Sequence, residues 1–301
     1  MDPTSNPKSF TIKVKTKQII SNQGKSYQVT PSGVKESPRV NKEQKVRIGR
    51  LQSSQYGYND IVLPQEDRFA SRIHCYINYE RFFSDEIPPD WLAFLMGSHP
   101  KLGSKSPVKY LSVELCRYIL EFLKQPKLFL VDLGSIWGTY IRLEEPVSLE
   151  PGMYFCIGED TLIDVVQLTK RYTAKSLGLA NRTHLETLDQ VPPFIQLQVS
   201  SKSLENEEVQ KPMFAKAPKQ TFTIGKSETA DLRVFEDSIL DCQCKIKFKK
   251  NKWFVVDKTK GTWLSLRKRK AFEKRGFTPF KLSNGSQFKV SETVMQVEWS
   301  N

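Results

Sequence analysis

Three histidines serve a chain of 301 residues, at positions 74, 99 and 184. His99 and His184 fall in loop-like sequence, and neither Gly-x-Ser-x-Gly nor His-Glu-x-x-His occurs anywhere. The sequence therefore predicts a protein without catalytic activity. The five cysteines, at 75, 116, 156, 242 and 244, form no CxxC pair and are odd in number. That pattern argues against a zinc site or a disulfide framework and predicts reduced thiols in an intracellular compartment, either the cytoplasm with its cytoskeletal assemblies or the nucleus. No metal and no cofactor is called for. Long apolar runs are missing too, and Met1 to Phe10 is polar, so neither a membrane span nor a signal core is expected. Gly24-Lys25-Ser26 and Gly225-Lys226-Ser227 lack the glycine five residues earlier that a nucleotide-binding loop requires.

Acidic residues are also scarce. Thirty-three Asp and Glu face 46 Lys and Arg, for a net charge of +13. Residues 245–275 carry thirteen basic side chains against Asp257 and Glu273, and the first fifty residues add about +8, so the stretch between is net acidic. Lys245, Lys247 and Lys249 alternate with Ile246 and Phe248, which places three ammonium groups on one side of a strand, and Arg267-Lys268-Arg269-Lys270 extends the charge in a hairpin loop. Such a region suits an acidic partner: a phosphoprotein, a large assembly with an acidic polymer surface or, less favoured, a nucleic acid. It reads equally well as a solvated sheet face.

The apolar residues recur at strand spacing. Phe10 to Lys15, Val46 to Arg50 and Ile73 to Ile77 alternate, and Phe129 to Ile141 reads as two strands joined by a glycine-bearing turn. Three strand ends thus present Gly49-Arg50, Ser71-Arg72-Ile73-His74 and Ser135-Ile136-Trp137-Gly138-Thr139. Brought together, a guanidinium, a hydroxyl and a tight turn can hold one phosphate. Between the second and third ends lies an insertion over 87–126. Apolar residues at 111, 115, 118, 119, 122 and 123 predict a helix in it, capped by Ser112 and followed by Pro126.

This order of motifs resembles the forkhead-associated (FHA) domain, with Asn59-Asp60-Ile61 and the closing stretch Leu149 to Gly158 fitting as well. The order recurs weakly after residues 169–192, a polar stretch read as a linker. Phe222 to Lys226 mirrors Val46 to Arg50, Cys244 to Ile246 mirrors Cys75 to Ile77, Gly261-Thr262 mirrors Gly138-Thr139, and Leu282 to Phe288 mirrors Leu149 to Phe155. The reading is an all-β chain of two FHA-like β-sandwiches in tandem: residues 1–168 with the partly helical insertion, and a diverged, basic copy over 193–301.

The resemblance implies a non-enzymatic adaptor or scaffold that docks a phosphothreonine-containing protein. It implies that Arg50, Ser71 and Arg72 contact the phosphopeptide, with Ile136 and Trp137 beside it. It implies that Gly49, His74, Ser135, Gly138 and Thr139 shape the site. Trp137 stands where the family has an asparagine, and an indole offers one donor in place of an amide's donor and acceptor. In the second copy Lys226 replaces the arginine, while Leu240, Asp241, Cys242 and Gln243 replace Ser-Arg-x-His, so that site reads as dismantled. The alternative is a structural subunit of a large assembly, with both sandwiches used for constitutive contacts and no phosphate recognition.

Overall fold

The structure, a computed structural model, describes residues 9–15, 24–37, 44–51, 59–65, 67–79, 94, 96–97, 105–112, 114–116, 119, 127–135, 138–159, 161–169, 192–201, 209–214, 220–268 and 279–300. Strands are numbered along the chain. The first seven are β1 (Ser9–Val14), β2 (Ser26–Thr30), β3 (Gly33–Val34), β4 (Lys45–Gly49), β5 (Ile61–Val62), β6 (Cys75–Asn78) and β7 (Leu128–Asp132). Next come β8 (Thr139–Arg142), β9 (Val147–Ser148), β10 (Met153–Ile157) and β11 (Thr161–Leu168). Then follow β12 (Phe194–Ser201), β13 (Val209–Phe214), β14 (Thr221–Gly225), β15 (Leu232–Arg233), β16 (Cys244–Lys249), β17 (Lys252–Asp257) and β18 (Thr262–Lys268). The last are β19 (Phe280–Leu282), β20 (Gln287–Val290) and β21 (Thr293–Ser300). The fold is all-β, as the alternation predicts.

In the insertion, Ser106 accepts from the Val108 N–H at the start of a 3-10 turn over Pro107–Tyr110. The Ser112 hydroxyl accepts from the Leu115 N–H at 3.2 Å where the chain turns helical at 114–116. Most of the remaining insertion lies outside the described residues.

The chain packs as two compact units, Met1–Trp137 with Pro279–Asn301, and Gly138–Thr278. This is not the division at 169–192 read from the sequence. In the first unit β21 pairs with β1 over six residues, from Ser9 opposite Ser300 to Val14 opposite Met295, and β19 pairs with β7. In the second, β11 pairs with β12 from Thr161 opposite Ser201 to Leu168 opposite Ile195, and β9 pairs with β17. The closing strands that the sequence reading gives to each sandwich therefore close the other one. The cause lies in the repeat itself. Ile163 and Val165 of β11, like Met295 and Val297 of β21, offer the same two-residue apolar period. Either strand satisfies Phe10, Ile12 and Val14 or Ile195 and Leu197 on the opposite side, so periodicity fixes the register and leaves the choice of strand open.

Each unit is a sandwich of two sheets. The first unit has β20-β21-β1-β2-β3 over β19-β7-β6-β4-β5, and the second has β13-β12-β11-β10-β18-β8 over β15-β14-β16-β17-β9. The five-stranded sheets run through the same sequence of pairings, including a short parallel pair, β4 with β5 and β14 with β15. In the other sheets β2-β1-β21-β20 matches β13-β12-β11-β10, while β3 in the first unit and β18-β8 in the second have no counterpart. Phe10, Ile12, Ile48, Ile77, Leu128, Phe288 and Val297 fill the first core, with Tyr79 meeting Phe10 edge to face at 5.8 Å. Phe155, Ile195, Ile224, Ile246 and Val255 fill the second around Trp253, whose ring lies 5.0 Å from that of Phe248. The Trp253 indole N–H donates to the Thr169 carbonyl at 2.9 Å, satisfying the one polar atom that this burial would strand.

Candidate phosphopeptide site

In the first unit β4 ends in Gly49-Arg50, and the chain before β6 runs alongside it. Arg50 N–H donates to the Ser71 carbonyl at 3.0 Å, and Leu51 N–H donates to the Arg72 carbonyl at 3.1 Å. The approach is so close that a β-carbon on Gly49 would run into the Arg72 carbonyl, so only glycine fits there. Asn59, which is buried, ties the two segments from below. Its side-chain amide donates to the Leu51 carbonyl at 2.6 Å and to the Arg72 carbonyl at 2.8 Å. Asp60 follows it with the Arg47 N–H on one carboxylate oxygen and the Ser37 hydroxyl on the other. The Asn-Asp step was visible in the sequence, but its role as the clasp between two strand ends was not.

His74 is fully buried, and its Nδ1 accepts from the Ser71 N–H at 3.1 Å. The ring thus fixes the backbone of the serine from underneath and takes no direct part at the rim. The preceding loop is set by Asp67, whose Oδ1 accepts from the N–H groups of Phe69 and Ala70. At the third strand end Asp132, also buried, accepts from the N–H groups of Gly134 and Ser135 and from the Ser135 hydroxyl at 2.6 Å. The Ser135 hydroxyl is therefore spent on the turn. Ile136 and Trp137 lie outside the described residues. Gly138 (φ 79°) and Thr139 begin the second unit, where the glycine packs beside the Tyr154 hydroxyl.

Two donors at this rim remain unengaged. Nε of Arg50 is shielded from solvent and has no hydrogen-bond partner among the described residues. The half-buried Ser71 donates its N–H and offers its carbonyl as described, while its hydroxyl has no partner among the described residues. Arg72 is exposed. The structure thus places Arg50 and Ser71 on paired backbone segments with Arg72 adjoining.

The second unit repeats the scaffold without those donors. Lys226 N–H donates to the Leu240 carbonyl at 3.1 Å, and Ser227 N–H to the Asp241 carbonyl at 3.4 Å. Gly225 is crowded by the Asp241 carbonyl just as Gly49 is by that of Arg72. Gln243 takes the place of His74, its Oε1 accepting from the Leu240 N–H at 3.2 Å and its amide donating to the Thr259 hydroxyl. Leu240, 54% exposed, occupies the serine's place, beside an exposed Asp241. A carboxylate and an isobutyl group there repel or ignore a dianion. Of the basic patch, Lys245, Lys247 and Lys249 lie on one face of β16, and Arg267 is half-buried in β18. The Lys268 side chain, Arg269 and Lys270 lie outside what is described.

Residues 222–291 match the sequence profile of the FHA domain. FHA domains are phosphopeptide-binding interaction modules, non-enzymatic, that recognise phosphothreonine-containing proteins. Among solved structures, the chain is similar to the FHA-1 domain of Rv1747 from Mycobacterium tuberculosis, with 17% identity over 36% of this chain and 99% of that one and a TM-score of 0.19. It is also similar to the Slr1951 protein from Synechocystis sp., with 11% identity over 31% and 86% and a TM-score of 0.14. No curated relative matches. The profile match begins in β14 and runs past β20, so its residues contribute to both units. Among the described residues no helix is long and apolar enough to cross a membrane, and no cluster of His, Cys, Asp and Glu is arranged to hold a metal.

Proposed function

We propose that the protein is a phosphothreonine-dependent adaptor whose reading site is the rim of the first unit. The observation that carries this is the shielded Nε of Arg50, a donor without an acceptor among the described residues, on a backbone segment hydrogen-bonded to that of Ser71, whose hydroxyl is also without a partner among them. A buried unsatisfied donor costs on the order of 1–3 kcal/mol, so a ligand that supplies an acceptor recovers that energy. A phosphothreonine brings three acceptor oxygens and nearly two negative charges, which a guanidinium binds as a charge-assisted fork. Arg72 adds a second guanidinium from the exposed side. The matching strand orders of the two units support reading them as two copies of one sandwich with exchanged closing strands.

The test uses the full chain, because residues 279–301 belong to the first unit. A phosphothreonine peptide array should yield ligands whose unphosphorylated twins do not bind, and Arg50→Ala should weaken binding about tenfold or more. Equal affinity for both forms removes the proposal.

A second reading, a structural subunit that makes constitutive contacts, is favoured by the rim of the second unit, where Leu240 and Asp241 cannot serve a phosphate. On that reading Arg50→Ala leaves assembly intact, while neutralising Arg267 to Lys270 or deleting 87–126 releases the protein from its complex.

A further inference from the structure

From the outward face of β14, β16 and β17 in the second unit we infer a docking surface for an acidic polypeptide segment that also carries apolar side chains. On β16, Ile246 and Phe248 point into the core, and Lys245, Lys247 and Lys249 take the opposite face. The register puts Lys247 between Thr221 and Phe254, Lys245 between Thr223 and Val256, and Lys249 opposite Lys252. No acid shares this face with them: Asp257 falls opposite the buried Cys244, and Asp231, at the margin, accepts from the N–H and hydroxyl of Thr223. None of the four lysines forms an ion pair with a described residue. Four like charges without counter-charge repel one another on a folded sheet, and an incoming polyanion relieves that repulsion.

The choice of occupant follows from what stands beside the charges. Successive lysines on β16 are about 6.6–6.8 Å apart, the interval at which an extended peptide presents alternate side chains. Phe254 and Val256, across the strand from Lys247 and Lys245, are half-buried apolar groups on the same face. A polynucleotide backbone gives Val256 nothing to contact. β14, β16 and β17 carry no arginine on this face for bidentate phosphate binding, and Arg233 on the adjoining β15 is taken up by Glu228 at 3.7 Å and by the Phe235 ring. An extended segment alternating carboxylates with apolar residues meets both kinds of group.

The experiment measures binding of fluorescent polymers to the full chain: a random glutamate–tyrosine copolymer, poly-L-glutamate and oligothymidylate. Expected is binding in that order of strength, with copolymer affinity reduced tenfold or more in Lys245→Gln/Lys247→Gln/Lys249→Gln. A control that removes the same charge elsewhere, Lys35→Gln/Lys105→Gln/Lys127→Gln, should retain the affinity within twofold. Equal weakening by the control, or none by the β16 variant, overturns the surface. Tightest binding by oligothymidylate makes a nucleic acid the occupant and overturns the choice made here. Equal binding of the two acidic polymers overturns the apolar part of the assignment.

Discussion

The hydroxyl of Ser291 donates to Oδ1 of Asp67 over 2.6 Å, joining residues 224 positions apart. Both side chains are buried, and the same carboxylate oxygen organises the loop that leads into Ser71. The turn between β20 and β21 is therefore part of the support beneath the proposed phosphate site.

Removing this bond should loosen that loop in proportion to what is left unsatisfied. Ser291→Ala deletes one donor and should cost about 1 kcal/mol in urea unfolding. Asp67→Ala removes the acceptor of the Phe69 N–H and of the Ser291 hydroxyl and leaves the Ala70 N–H only the backbone carbonyl of residue 67, and should cost about 2–3 kcal/mol. If Ser71 holds phosphate, both changes also weaken phosphopeptide binding, Asp67→Ala more. Loss of stability with unchanged affinity would separate the loop from the site.

Ending the chain at residue 278 should abolish the first unit. It removes Leu282, Phe288, Val290, Met295 and Val297, all fully buried, and strips β1 of one of its two ladders, leaving only that with β2. At about 1.5–3 kcal/mol per side chain the loss is about 7.5–15 kcal/mol, comparable to the roughly 5–15 kcal/mol that holds a domain together. The fragment 1–168 should fail for the same reason, giving collapsed, poorly dispersed amide resonances. A folded, well-dispersed 1–168 would restore the division at 169–192.

His74→Gln should be nearly silent. Gln243 already performs the same task one unit over, accepting from the N–H of the residue three before it at 3.2 Å, against 3.1 Å for His74. The expected cost is under about 1 kcal/mol, whereas His74→Ala leaves the Ser71 N–H unsatisfied over a cavity and should cost about 2–4 kcal/mol. Thermal or urea unfolding of the two variants decides it.

Thiol labelling of the native protein should modify Cys116 and Cys242 and spare Cys75, Cys156 and Cys244, which are fully buried. Burial first, then the neighbouring Asp257 and Cys242, push the Cys244 thiol far above its ordinary range. The folded state therefore keeps this proton while the unfolded chain loses it. Its stabilising share is complete below the unfolded pKa of about 8.5 and declines as pH rises above it. Mass spectrometry after brief alkylation at pH 8 and pH 9.5 should show two modified cysteines at both. A third label at pH 9.5 would mean that Cys244 ionises in the fold.

Much of the rim could be read from residues whose type admits few alternatives. Gly49 was visible because a strand ending in Gly-Arg is unusual, and the structure supplies the reason in the Arg72 carbonyl pressed against it. The Ser71-x-x-His74 spacing was visible, and the family resemblance implied that His74 shapes the loop; the bond from the Ser71 N–H to its Nδ1 is what the structure adds. Asn59 and Asp67 were harder to see, since their work is done by side-chain bonds to backbone that has no sequence signature. Least visible of all was which closing strand meets which opening strand. Phe10 faces Trp299 in the structure, yet the alternation of Ile163 and Val165 would have met β1 equally well. A repeat gives local patterns that agree with each other and with more than one tracing.

The pairing of β1 with β21 also sets an order of events during synthesis. Every residue of the second unit has been synthesised by position 278, whereas β1 to β7 are made early and cannot close until residues 280–300 follow. For most of translation the first unit is a half-sandwich with unpaired strand edges, the kind of surface that chaperones hold and neighbouring chains capture. The return of the C-terminal hairpin to the N-terminal strands completes the first unit, and with it the support beneath the proposed phosphate site.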